Sequence, residues 1–106
     1  MDLIKTVLDH AEFRPDKFFK TTLFQGQAMM VGLNCLEPGQ IQNAHQHTDQ
    51  DKFYFVLQGI GRFHLGSDHV EGSAGEIIWA PAGLEHGVEN NGKKQLTLLV
   101  GIAPGP

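Results

Sequence analysis

Two histidines one residue apart, His45 and His47, have the clearest chemical use in this chain of 106 residues. In a β-strand the side-chain period of two puts both imidazoles on one face, close enough to grip a single metal ion. In a polar loop the same pair would be two solvated surface histidines, and the spacing alone leaves both readings open. His10, His64 and His69 have no such context and read as exposed or hydrogen-bonded side chains. Cys35 is the only cysteine. It can form no internal disulfide and has no second soft ligand nearby, so it reads as a small buried hydrophobe.

The elements that must position these residues are short strands. Thirteen glycines, spaced at brief intervals, mark many turns. Residues 18–24 and 28–36 read as a hairpin around Gln25-Gly26-Gln27, and Glu37-Pro38-Gly39-Gln40 closes the second strand. A polar stretch containing His45 and His47 follows. Further strands are expected at 53–57, at 62–65 and just before Gly72 to Gly75. Residues 77–80 end at the Pro81-Ala82-Gly83 turn, and 95–102 form the last strand. The segment 1–14 suits a helical turn or a short edge strand equally well, Pro15 and Asp16 mark a turn, and the tail 103–106 is expected to fray. That many strand edges without a long helix point to a closed barrel or sandwich. Phe53 to Leu57 is apolar at both parities, so both of its faces need cover. One can point into a barrel; the other calls for a second sheet or a partner subunit, and a chain this short favours the partner, hence an expected homodimer.

Composition bounds the rest. At this length the chain holds one domain and one core. Apolar residues at 41% and charged residues at 19% can build that core. A net charge of −4 without a basic stripe speaks against nucleic acid or an anionic membrane as partner. The longest apolar runs fall short of the roughly 18–20 residues that span a bilayer, and the N-terminus lacks the apolar core of a secretory signal. A cytoplasmic protein is expected.

The residues around the histidine pair resemble the first cupin motif: Gly39, five residues, His45, one residue, His47, and the later Gly59. Gly75, five residues, Pro81, one residue, Gly83, two residues, His86, three residues and Asn90 reproduce the second motif without a gap. The fifteen residues between Gly59 and Gly75 are similar to the short spacer of small microbial cupins. The resemblance implies an all-β fold, a double-stranded β-helix or jelly-roll barrel, forming a single domain over 1–106 with its barrel core at about 18–102. It further implies that His45, His47 and His86 converge on a divalent transition metal: Fe, Mn, Ni or Zn.

One position departs from the family pattern. The usual fourth ligand is a glutamate five residues after the second histidine and seven before the glycine, where this chain has Lys52. An ammonium about 5 Å from a divalent ion would be repelled by roughly 6–7 kcal/mol at an effective dielectric near 20. Lys52 can swing away to a carboxylate, sit neutral as a weak ligand, or hold the anionic group of a ligand that bridges to the metal. Loss of the metal is the fourth outcome. Asp51 would replace the glutamate only through a register bulge. Tyr54, Val56 and Gln58 share the parity of Lys52. Tyr54 and Gln58 are therefore expected in the pocket, or simply as barrel filling.

Three imidazoles leave open positions on a hexacoordinate ion, so the resemblance implies a metal-dependent enzyme of dioxygenase, isomerase or lyase type acting on a small polar or anionic molecule. The competing class is a non-catalytic small-molecule-binding module, and a structural remnant is the third. Fold analogy cannot choose among them.

Overall fold

The computed structural model describes residues 2–106 and is built almost wholly of antiparallel strands. These are β1 (Phe19–Gln25), β2 (Met30–Leu36), β3 (Ile41–His45), β4 (Asp51–Gln58), β5 (Ile60–Leu65), β6 (Asp68–Ser73), β7 (Ile77–Ala80), β8 (His86–Glu89) and β9 (Leu96–Ala103). A five-stranded sheet runs β1-β2-β9-β4-β7 and a four-stranded sheet runs β3-β8-β5-β6. Every strand expected from the sequence with stated bounds is present within two residues at its ends. β3 and β8 were not expected as strands. Each is short, and β3 is polar, so neither carries the alternation by which a half-buried strand is recognised.

The main core lies between the sheets, where Leu36, Tyr54, Val56, Phe63, Ile78, Val88, Leu96, Leu98 and Val100 pack together. Each large apolar side chain buried there contributes about 1.5–3 kcal/mol. β4 shows the alternation that places the site: Lys52, Tyr54 and Val56 point inward, whereas Phe53, Phe55 and Leu57 point outward and are half-buried.

The outer face of the five-stranded sheet is covered in part by the chain itself. Among the described residues of the N-terminal segment, 2–17, Val7–His10 forms a 3-10 turn. Val7, Ala11 and Phe13 pack on a second cluster of Leu23, Leu33 and Cys35, which Leu57 and Leu99 also join. Lys5 Nζ ties the segment down by donating to the Leu23 carbonyl at 2.7 Å. The outer face of β4 is thus covered by the chain itself at Leu57. Beyond it, Phe53 lies across Gly101, whose missing side chain makes room for the ring. Phe53 and Phe55 pair with Trp79 and Ile77 of edge strand β7. Trp79 is 56% exposed and Ile77 65%.

Cys35 is fully buried, and burial pushes its thiol up, as a packing role requires. The tail is held rather than frayed: Gln50 Nε2 donates to the Pro104 carbonyl at 3.0 Å and Gln25 Nε2 to that of Pro106 at 3.1 Å. Among the described residues no helix is long and apolar enough to cross a membrane.

Candidate metal centre

Strand pairing brings the histidines together. His45, last in β3, is the cross-strand partner of His86, first in β8, with a bulge between Gln42 and His45. Gly87 permits that bulge, since a Cβ there would stand 2.8 Å from the Gln42 carbonyl oxygen and 2.9 Å from Ala44. His47 follows β3 and is clamped to the turn before β8. The Gly83 amide donates to the His47 carbonyl at 2.7 Å, and Gln46 Nε2 donates to the Gly83 carbonyl at 2.7 Å. The Asp51 carboxylate accepts from the Ala82 amide of the same turn at 2.9 Å. Asp51 therefore anchors a loop, and the expectation that it could replace the glutamate ligand is corrected. β4 has no bulge at this point, so Asp51 faces away from Lys52.

The three imidazoles present ligand atoms that all lie within 4.8 Å of one another. Ligands about 2.1 Å from one shared ion stand roughly 3–4 Å apart, so small side-chain adjustments would close the cage. His45 Nδ1 lies 3.0 Å from the Asn43 carbonyl oxygen and His86 Nδ1 3.0 Å from that of Leu84. A carbonyl only accepts, so each Nδ1 carries the proton and each Nε2 keeps its lone pair. Burial pushes His86 down to about 4; the Leu84 carbonyl opposes this, while Lys52 and the other two imidazoles reinforce it. His47 is lowered too, chiefly by burial, then by His45 and Lys52, against Asp49. Both rings are thus held neutral, the form that binds metal. His86 Nε2 is buried and has no hydrogen-bond partner among the described residues. An orphaned buried nitrogen costs about 1–3 kcal/mol, and a cation at the centre of the trio would relieve it. The donor set fits a divalent transition metal.

His45 and His47 open onto a cavity of about 680 Å³ whose other polar walls include Lys20, Asn34, Gln42 and Lys52. Lys52 is 5% exposed, and its Nζ lies over the Tyr54 ring, 4.6 Å from the centroid. No carboxylate pairs with it among the described residues, so it has not swung away to one. Burial first, and the charge of Lys20 second, lower it to about 8. Tyr54 does not line the cavity: it is fully buried, burial pushes its phenol up, and its hydroxyl donates to Gln42 Oε1 at 3.0 Å. Gln58 lies outside as well. A register shift after Val56 turns it out of the parity of Lys52, and it accepts from the Thr97 hydroxyl at 3.1 Å.

Lys20, Asn34 and Gln42 were not anticipated. Lys20 and Asn34 are cross-strand partners in β1 and β2, strands whose inward face the sequence does not identify. Gln42 sits in the unrecognised β3.

A family model described as the cupin domain matches residues 32–102. The chain belongs to the cupin family. Among curated cupin relatives, the oxalate-binding protein of Thermotoga maritima is 33% identical over 67 residues, covering 63% of this chain and 55% of that protein. The chain thus spans little more than half of that relative's length. An uncharacterised protein of Streptomyces coelicolor is 30% identical over 76 residues, 72% of this chain and 70% of that one. The crystal structure of TT1209 from Thermus thermophilus superposes with a TM-score of 0.94 at 37% identity, over 97% of this cupin and 98% of that chain. A predicted oxalate decarboxylase from Thermotoga maritima superposes with a TM-score of 0.77 at 26% identity, over 81% and 79% of the two chains.

Proposed function

We propose that this cupin holds a divalent transition metal (Fe, Mn, Ni or Zn) on His45, His47 and His86, and that it acts as a metal-dependent enzyme on a small anionic molecule bound beside the ion. The observation that carries the reading is the buried, unpartnered Nε2 of His86, facing two further imidazoles whose ligand atoms lie within 4.8 Å. When bound, the ion supplies Lewis acidity and open positions for a ligand's oxygen atoms. The chain supplies the rest. The carbonyls of Asn43 and Leu84 orient two of the rings, and the ammonium groups of Lys20 and Lys52 draw an anion into the cavity. A relative named for oxalate binding supports a small carboxylate as ligand class.

Binding without turnover is the second reading, and one observation favours it. Among the described residues no aspartate or glutamate lines the cavity, so none of them offers a carboxylate base there. We further propose a homodimer formed through Trp79 and Ile77, working in the cytoplasm, where a lone buried thiol stays reduced.

Elemental analysis and thermal melting with added Mn²⁺, Fe²⁺, Ni²⁺ or Zn²⁺ test the metal site. One ion per chain and a raised melting temperature are expected, with both lost in His86→Ala. Wild-type protein that takes up none of these ions would overturn it. Metal-loaded protein that binds small carboxylates but neither consumes oxygen nor transforms them is the result that selects the binding module.

A further inference from the structure

Two of the three imidazoles, His45 and His47, and two lysines line the cavity, and among the described residues no carboxylate does. Asp51 is turned to the Ala82 amide, and Asp49, whose charge is felt at His47, is not part of the wall. A divalent ion in the cage would therefore add its two positive charges to those of Lys20 and Lys52, with no carboxylate of the cavity wall to offset them. Lys20 is exposed at the cavity wall, but Lys52 is buried, and a buried charge without a partner is costly. Lys52 cannot leave. It is 5% exposed and its Nζ is seated on the Tyr54 ring. Beside it, Thr21, Thr22, Asn34 and Gln42 offer neutral hydrogen-bonding groups to whatever binds.

We infer that Lys52, with Lys20, makes metal and anion binding mutually dependent: a small dicarboxylate enters between the lysines and the ion, and supplies the negative charge that a glutamate at position 52 would have supplied. This rests on the metal-site reading above. One carboxylate of the ligand faces the ion and Lys52, and the second answers Lys20. By linkage the ion tightens the anion by the same factor that the anion tightens the ion. The ion alone is held weakly. A monocarboxylate can do only half of this.

Malonate and Mn²⁺ test the inference, with free Mn²⁺ followed by electron paramagnetic resonance at neutral pH. In wild-type protein saturating malonate should tighten Mn²⁺ by about tenfold or more, inside the usual range of coupling between two sites, and acetate should do markedly less. Lys52→Met should bind Mn²⁺ alone more tightly than wild type and keep less than about a twofold malonate effect. Lys52→Glu should bind Mn²⁺ tightly with or without malonate. Undiminished synergy in Lys52→Met, or an acetate effect equal to that of malonate, overturns the inference. So does weaker Mn²⁺ binding by Lys52→Met, because the lysine would then be a neutral ligand. If Lys52→Glu binds Mn²⁺ and wild type with malonate does not, the inference falls and the histidine cage stands. If no form binds Mn²⁺, the inference falls, and the cage reading falls with it only if Fe²⁺, Ni²⁺ and Zn²⁺ are not taken up either.

Discussion

Replacing Lys52 with methionine should make the metal-free protein more stable, by an amount that the burial of the lysine sets. Its folded value is about 8 against an ordinary 10.5. A lysine lowered in this way opposes folding while it is protonated. The penalty is complete below about pH 8 and fades as the pH climbs from there through about 10.5. At about 1.4 kcal/mol per pH unit, the gap amounts to roughly 3 kcal/mol near neutral pH. Methionine keeps an unbranched apolar stem against Tyr54 and removes the charge. The variant should therefore gain roughly 3 kcal/mol near pH 7, about 10 °C or more in melting temperature for a domain of this size, and only about 1 kcal/mol near pH 10. Urea unfolding of both proteins at the two pH values, with chelator present to exclude metal, measures it. A variant no more stable than wild type near pH 7, or one whose gain is the same at both pH values, would refute the reasoning.

Asn90 is fully buried; its Nδ2 donates to the Leu36 and Lys94 carbonyls, both at 2.9 Å, while its Oδ1 accepts from the Gly92 amide at 3.1 Å. Asn90→Ala should cost about 2–4 kcal/mol by urea unfolding, because those backbone groups lose their partners. His86 is held at about 4, below its ordinary 6.5, so its protonation opposes folding. Stability should be undiminished above about 6.5 and fall as the pH drops toward 4, and His86→Gln should flatten that part of the stability curve. Trp79→Glu should convert a dimer to a monomer by light scattering while leaving the fold's circular dichroism unchanged. A wild-type protein that already runs as a monomer would dispose of that interface.

Turn chemistry and alternation made most of the barrel legible. Phe53 to Leu57 could be nothing but a strand, and the Pro and Gly pairs bounded its neighbours. β3 and β8, which carry two of the three histidines between them, were the strands that periodicity missed. They are too short and, in β3, too polar to show a pattern, and their pairing is a long-range event. The histidine cluster was nonetheless anticipated, because the resemblance to the two cupin motifs implies that His45, His47 and His86 converge. The pocket wall was not. Parity placed Lys52 and Tyr54 inward correctly, yet it failed at Gln58, beyond a bulge that leaves no trace in residue type. It also could not tell a side chain that lines a cavity from one that, like Tyr54, lies sealed beneath it. Lys20 and Asn34 escaped because a strand's alternation shows two faces without saying which is inside.

Gln46 and His47 are joined to Gly83, and Asp51 to Ala82, by hydrogen bonds between protein groups. His45 and His86 are likewise set by ladder pairing and by their own carbonyl contacts. Those contacts position the histidines through the strand ladder and the turn. Unlike a zinc finger, whose folding free energy is the binding of its metal, this barrel should survive chelation intact and be reloaded without refolding. Its occupancy would then follow the supply of ions and anions around it, and its shape would not.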